Sequence, residues 1–71
     1  MSDAAHPRTG MVVLEPDGRR RVVVGVDPYP LGWESNVRWC RPGTTREFAC
    51  TGDYWERRAR QDGWVVDVEA A

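Results

Sequence analysis

Seventy-one residues make one domain, and a chain this short buries only about 60% of its unfolded surface, which excludes a large core and an enclosed substrate chamber. The composition is globular, 41% hydrophobic and 30% charged, and four tryptophans allow a small core to be filled by few side chains. A formal net charge of −1 gives the whole molecule no strong electrostatic preference for one class of partner.

Met1–Thr9 is small and polar, without periodicity, and reads as a disordered N-terminal tail. The folded part is expected over residues 10–68, with a short C-terminal tail at 69–71. Gly10–Glu15 reads as a first strand, Pro16-Asp17-Gly18 as a tight turn and Arg19–Val26 as a second strand, together a hairpin. Gly25 within a run of valines predicts a bulge or sharp bend. Asp27–Ser35 holds two prolines and a glycine and reads as a loop carrying Tyr29, Leu31 and Trp33, which either fold back over the core or face a partner.

Asn36–Arg41 and Arg46–Cys50 read as a second hairpin around the Pro42–Thr45 turn. With that loop, Trp39 faces Phe48 and Val37 faces Cys50. Those four are expected on the core face, with Arg38, Cys40, Glu47 and Ala49 on the other. Thr51–Asp62 reads as a short helix or 3-10 turn, with Asp53 and Glu56 spaced as a capping box and Gly63 ending it. Trp55 and Ala59 share its core side, and Tyr54 and Arg58 a wetter one. Trp64–Val68 is the last strand, with Trp64, Val66 and Val68 on one face.

The chemistry available is narrow. Cys40 and Cys50 fall on opposite faces of their hairpin, so free thiols are expected. His6, the only histidine, lies in the predicted tail, and two cysteines with one histidine do not make a zinc set. No phosphate-cradling glycine loop opens a helix, and no nucleophile has a base in reach by sequence. The reading is therefore non-enzymatic, without cofactor, metal or small-molecule substrate. No secretory signal and no apolar run near the roughly 20 residues of a membrane span are present, so the cytoplasm is the expected compartment and no membrane role is expected.

The element order is strand, turn, strand, long loop, strand, turn, strand, helical turn, strand. In that order the chain resembles an SH3-like small barrel, the class that includes SH3, Tudor and KOW-type domains. The fold class expected is mainly β: a five-stranded SH3-like barrel with one short helix or 3-10 turn before the last strand. An open antiparallel sheet with one helix packed on it is the alternative. The pieces Asp17–Val26, Val37–Arg41 and Tyr54–Arg58 also resemble those of small prophage-encoded proteins. The SH3-like resemblance implies binding through aromatic loops and exposed edges, and small barrels of this kind often bind nucleic acid.

Charge is unevenly placed: residues 1–18 carry −2, residues 19–60 hold nine arginines against five carboxylates for +4, and residues 61–71 carry −3. All of the basic side chains are arginine, the residue suited to flat, bidentate contacts. The expected partner-binding face joins Tyr29 and Trp33 to Tyr54, Arg57 and Arg58, with Arg38, Arg41 and Arg46 beside it. The expected function is protein–protein binding by a monomer or weak homodimer, of the kind a phage or prophage accessory protein uses to regulate or inhibit a host transcription or defence complex. Nucleic-acid binding through arginine clusters and aromatic stacking is the alternative. A Tudor-like cage for methylated side chains would need about four converging aromatics, which the spacing does not display.

Overall fold

The computed structural model describes residues 3–27 and 36–69. Five strands, β1 (Val12–Leu14), β2 (Arg20–Val26), β3 (Val37–Cys40), β4 (Glu47–Cys50) and β5 (Val65–Val68), form one antiparallel sheet in the order β4-β3-β2-β1-β5. One helix, α1 (Gly52–Asp62), precedes β5 and carries the chain from the β4 edge to the β5 edge. The mainly β class and the helix before the last strand are as the sequence predicts. Among the described residues β4 and β5 are not paired to each other, so the sheet stands open with one helix packed on it. Of the Asp27–Ser35 loop only Asp27 is described; the expectations for Tyr29, Leu31 and Trp33 lie outside the described residues.

Both hairpins follow from their turn residues. In the first, Gly18 takes φ 89°, a conformation that costs glycine nothing, and its N–H donates to the Glu15 carbonyl at 2.9 Å. In the second, Trp39 pairs with Phe48 and Val37 with Cys50, the predicted register. The predicted irregularity at Gly25 is present. Val23 pairs with Trp39 and Gly25 with Arg38, which leaves Val24 as an extra residue in β2. That one-residue insertion changes which side chains face inward: Val23 before it and Val26 after it both pack into the core.

The core lies between the sheet and α1 and holds Met11, Val13, Val23, Val37, Trp39, Trp55, Ala59 and Trp64. Trp55 and Trp64 meet edge to face with centroids 5.0 Å apart, a favoured aromatic geometry. One helix signal falls differently from the sequence reading. Thr51, not Asp53, is the N-cap: its backbone is extended and its hydroxyl accepts from the Tyr54 N–H at 3.1 Å. Asp53 lies within the first turn, where its charge suits the helix dipole. Gly63 ends the helix at φ 71°, ψ 39°, as predicted, its N–H donating to the Ala59 carbonyl.

Three expectations need correction. Asp3–Thr9 is not a disordered tail. The Asp3 carboxylate accepts from the Ala5 N–H at 2.9 Å, closing a turn that brings Ala4 and Ala5 into the core. The Ala4 carbonyl accepts from the buried Trp55 indole N–H at 2.8 Å. Small side chains permit that approach, and a buried N–H requires an acceptor. Phe48 is 36% exposed because β4 is the edge strand, with sheet on one side only. Val68 is 51% exposed because the β1–β5 register slips between Val12 and Val13, which turns it out of the face that Trp64 and Val66 share.

Candidate functional site

A highly organised polar group stands at one end of the core face. Side chains alternate along strands, so Glu15 follows Val13, Arg21 precedes Val23 and Arg41 follows Trp39 on that face. Glu15 is 8% exposed, the one buried charged residue among those described. Its carboxylate accepts from Arg21 Nη2 at 3.2 Å and from Arg41 Nη1. Burial pushes the Glu15 carboxyl up, but hydrogen bonds from Arg41 and Arg21 and their charge outweigh it, and the group is held below the ordinary glutamate value. The guanidinium carbon of Arg21 lies 4.0 Å from the Trp39 ring centroid and 4.3 Å from that of Trp64. Arg21 is thus held by a carboxylate and by two indoles together.

This group continues outward to the sheet edge. Trp39 stacks on Phe48 with centroids 4.7 Å apart and planes 23° from parallel. The Arg46 guanidinium carbon sits 5.1 Å from the Phe48 centroid. The sequence Trp64, Arg21, Trp39, Phe48, Arg46 is a continuous stack running from the buried core to the exposed edge of β4. Its inner half is fixed by burial and the Glu15 pairs. Its outer half, Phe48 and Arg46, faces water.

The predicted site residues separate. Arg46 belongs to this stack, and Arg41 borders it, 5.0 Å from the Trp39 centroid and committed to Glu15. Arg38 lies on the opposite face of the sheet, 3.4 Å from Glu47, with its guanidinium over the bare Cα of Gly25. Tyr54 is 44% exposed, Arg57 is exposed, and Arg58 pairs with Asp62 at 2.9 Å, all on α1. Tyr29 and Trp33 lie outside the described residues. Sequence reasoning missed Glu15 and Arg21. The signal was present: Arg21 has the same parity as Val23 and so belongs inside, unlike Arg20 beside it.

Pairing decides what the arginine-rich surface can do. Eight of the ten arginines have a carboxylate within 4 Å: Arg8 with Glu69, Arg19 with Asp17, Arg20 with Asp67, Arg21 and Arg41 with Glu15, Arg38 with Glu47, Arg58 with Asp62 and Arg60 with Asp3 and Glu56. The run Arg19-Arg20-Arg21, which reads as a basic cluster in sequence, is three separate ion pairs in space. Among the described residues only Arg46 and Arg57 have no carboxylate partner.

The cysteines are free thiols, each half-buried, and burial pushes the Cys50 thiol up, away from the reactive thiolate. Among the described residues no group of three or more His, Cys, Asp or Glu converges as metal ligands would, and no helix is long and apolar enough to cross a membrane. A shallow cleft of about 310 Å³ separates the N-terminal segment from the start of α1, lined by Ala5, His6, Val26, Val37, Asp53 and Glu56 among others. No family model, no curated protein and no solved structure matches the chain.

Proposed function

We propose that the chain is a non-enzymatic, SH3-like binding module that works in the cytoplasm by contact with another protein. The observation that carries this reading is the pairing pattern. Arginine charge is neutralised locally across most of the surface, while the edge strand keeps one uncompensated arginine beside an exposed aromatic ring. Arginine and aromatic side chains dominate the energetics of protein interfaces. The element order, a meander of four strands with the fifth returning to β1 after a helix, supports the SH3-like reading. The resemblance to small prophage-encoded proteins supports a regulatory or inhibitory role toward a host machine such as a transcription or defence complex.

One observation favours the second reading, a nucleic-acid-binding small barrel: Arg46 over Phe48 is a cation beside a stacking platform, the pair that holds single strands. A salt titration separates the two. With two uncompensated arginines, the slope of log K against log salt for a single-stranded oligonucleotide is expected no steeper than about −1.5, at about −0.7 per neutralised phosphate. Affinity purification from host lysate, with the tag after residue 71, is expected to retain a stoichiometric protein after nuclease treatment. A slope of about −3 or steeper, with retention abolished by nuclease, replaces the protein reading with the nucleic-acid one.

A further inference from the structure

The two edges of the open sheet differ. At the β5 edge the β1–β5 register is interrupted by a bulge, and β5 carries Asp67, paired to Arg20, with Glu69 just beyond it. Bulges are one means by which proteins block unwanted strand addition, and the bulge is what sets this edge apart from β4, whose Glu47 is paired in the same way, to Arg38. At the β4 edge the β3–β4 register runs without interruption over four residue pairs. Strand β4 has no proline or lysine, and every one of its residues is exposed or half-exposed. Alternate residues of such an edge direct their N–H and C=O groups away from the sheet, a ready template for another strand. Arg46, the residue just before β4, lays its guanidinium over the ring of Phe48 on one face of this edge. The pair stands where the chain enters β4 from the Pro42–Thr45 turn, opposite the end where Cys50 pairs with Val37.

We infer that the β4 edge accepts an extended segment of a partner protein as a sixth strand, with an acidic residue opposite Arg46 and an apolar residue opposite Phe48. The inference rests on the protein-binding reading above and specifies its mode. Charge complementarity selects the occupant: Arg46 is the one arginine on this edge with no carboxylate of its own. Opposed residues of paired strands share a face, so the partner's acidic and apolar residues are separated by one position. The order is apolar-x-acidic if the added strand is antiparallel and acidic-x-apolar if it is parallel. A second copy of this chain fits less well. An antiparallel β4–β4 pairing centred on Phe48 sets Arg46 opposite Cys50 and offers it no carboxylate.

The test uses the full chain and a displayed library of random twelve-residue peptides. Selection is expected to enrich an acidic and an apolar residue two apart. In ¹⁵N-resolved spectra a selected peptide is expected to shift the amides of Glu47 and Ala49 and to slow their hydrogen exchange. Arg46→Glu is expected to weaken the peptide at least tenfold, and replacing the peptide's acidic residue with Arg to recover most of that loss. Arg46 has no ion pair to lose, so the variant folds, and the spectrum of the free protein confirms it. Enriched peptides that perturb α1 instead of β4 overturn the β4 assignment and leave the protein-binding reading standing. Failure to enrich any peptide, with oligonucleotides shifting the Arg46 and Phe48 signals, overturns both. A concentration-dependent dimer that shifts Glu47 and Ala49 without peptide assigns the edge to self-association and overturns the acidic-peptide proposal.

Discussion

Replacing Glu15 with Gln would leave the Arg21 and Arg41 guanidinium groups facing a neutral amide. Arg21 is 12% exposed at its side chain and held between two indoles, so it cannot readily turn to water. Breaking one side of a buried pair commonly costs about 3–5 kcal/mol; Gln keeps one acceptor oxygen, so about 2 kcal/mol is expected for it, read as a lower urea midpoint. The pH dependence follows from the lowered carboxyl. A group depressed in the folded state contributes stability that is complete above its unfolded value and is lost as pH falls through the folded value. The wild-type urea midpoint should therefore fall as pH drops below the ordinary glutamate range, and Glu15→Gln should fall less steeply. Asp3 and Asp17 are also lowered, by backbone hydrogen bonds from Ala5 and Arg19, and the variant retains their share of the acid limb. Strand parity placed Trp39 and Trp64 inside, and helical spacing with Ala59 placed Trp55 there. The Glu15 site was less legible because a glutamate after a strand ordinarily faces water; only its spatial convergence with Arg21 and Arg41 makes burial tolerable.

At the scale of elements, α1 depends on its two ends. Thr51→Ala removes the hydroxyl that accepts from the Tyr54 N–H and should cost about 1 kcal/mol. Asp53→Ala should cost less, because Asp53 contributes only its charge near the helix start. Gly63→Ala forces a side chain into the left-handed region, at about 1–2 kcal/mol. Thermal midpoints of the three variants should fall in the order Asp53→Ala least, then Thr51→Ala and Gly63→Ala. The strands and the β3–β4 register were legible because glycine and proline mark the turns and Val37 and Trp39 alternate with polar residues. The cap was misplaced by two residues because Thr and Asp both satisfy the same rule, and only backbone geometry distinguishes them. The exposure of Phe48 and Val68 was not legible either. Alternation assigns a face, but strand order and a bulge decide whether anything covers it.

At the scale of the whole molecule, the N-terminal segment completes the core rather than trailing from it. Deleting residues 1–5 would uncover Trp55 and leave its indole N–H without the Ala4 carbonyl. The expected result is a loss of at least 2 kcal/mol, from the lost hydrogen bond and the newly exposed apolar area together. It is measurable by urea titration, accompanied by a red-shifted tryptophan emission. Strand order has a further consequence, for the time during which the chain is being made. Strand β1 pairs with β2 as soon as that hairpin emerges, but its other side waits for β5, which is synthesised more than fifty residues later. Until then the nascent protein presents a valine-rich strand with one side unoccupied, together with Trp39, whose core partners on α1 and at Trp64 come later in the chain. The side on which the hairpin would otherwise aggregate closes only when β5 has left the ribosome and pairs with β1.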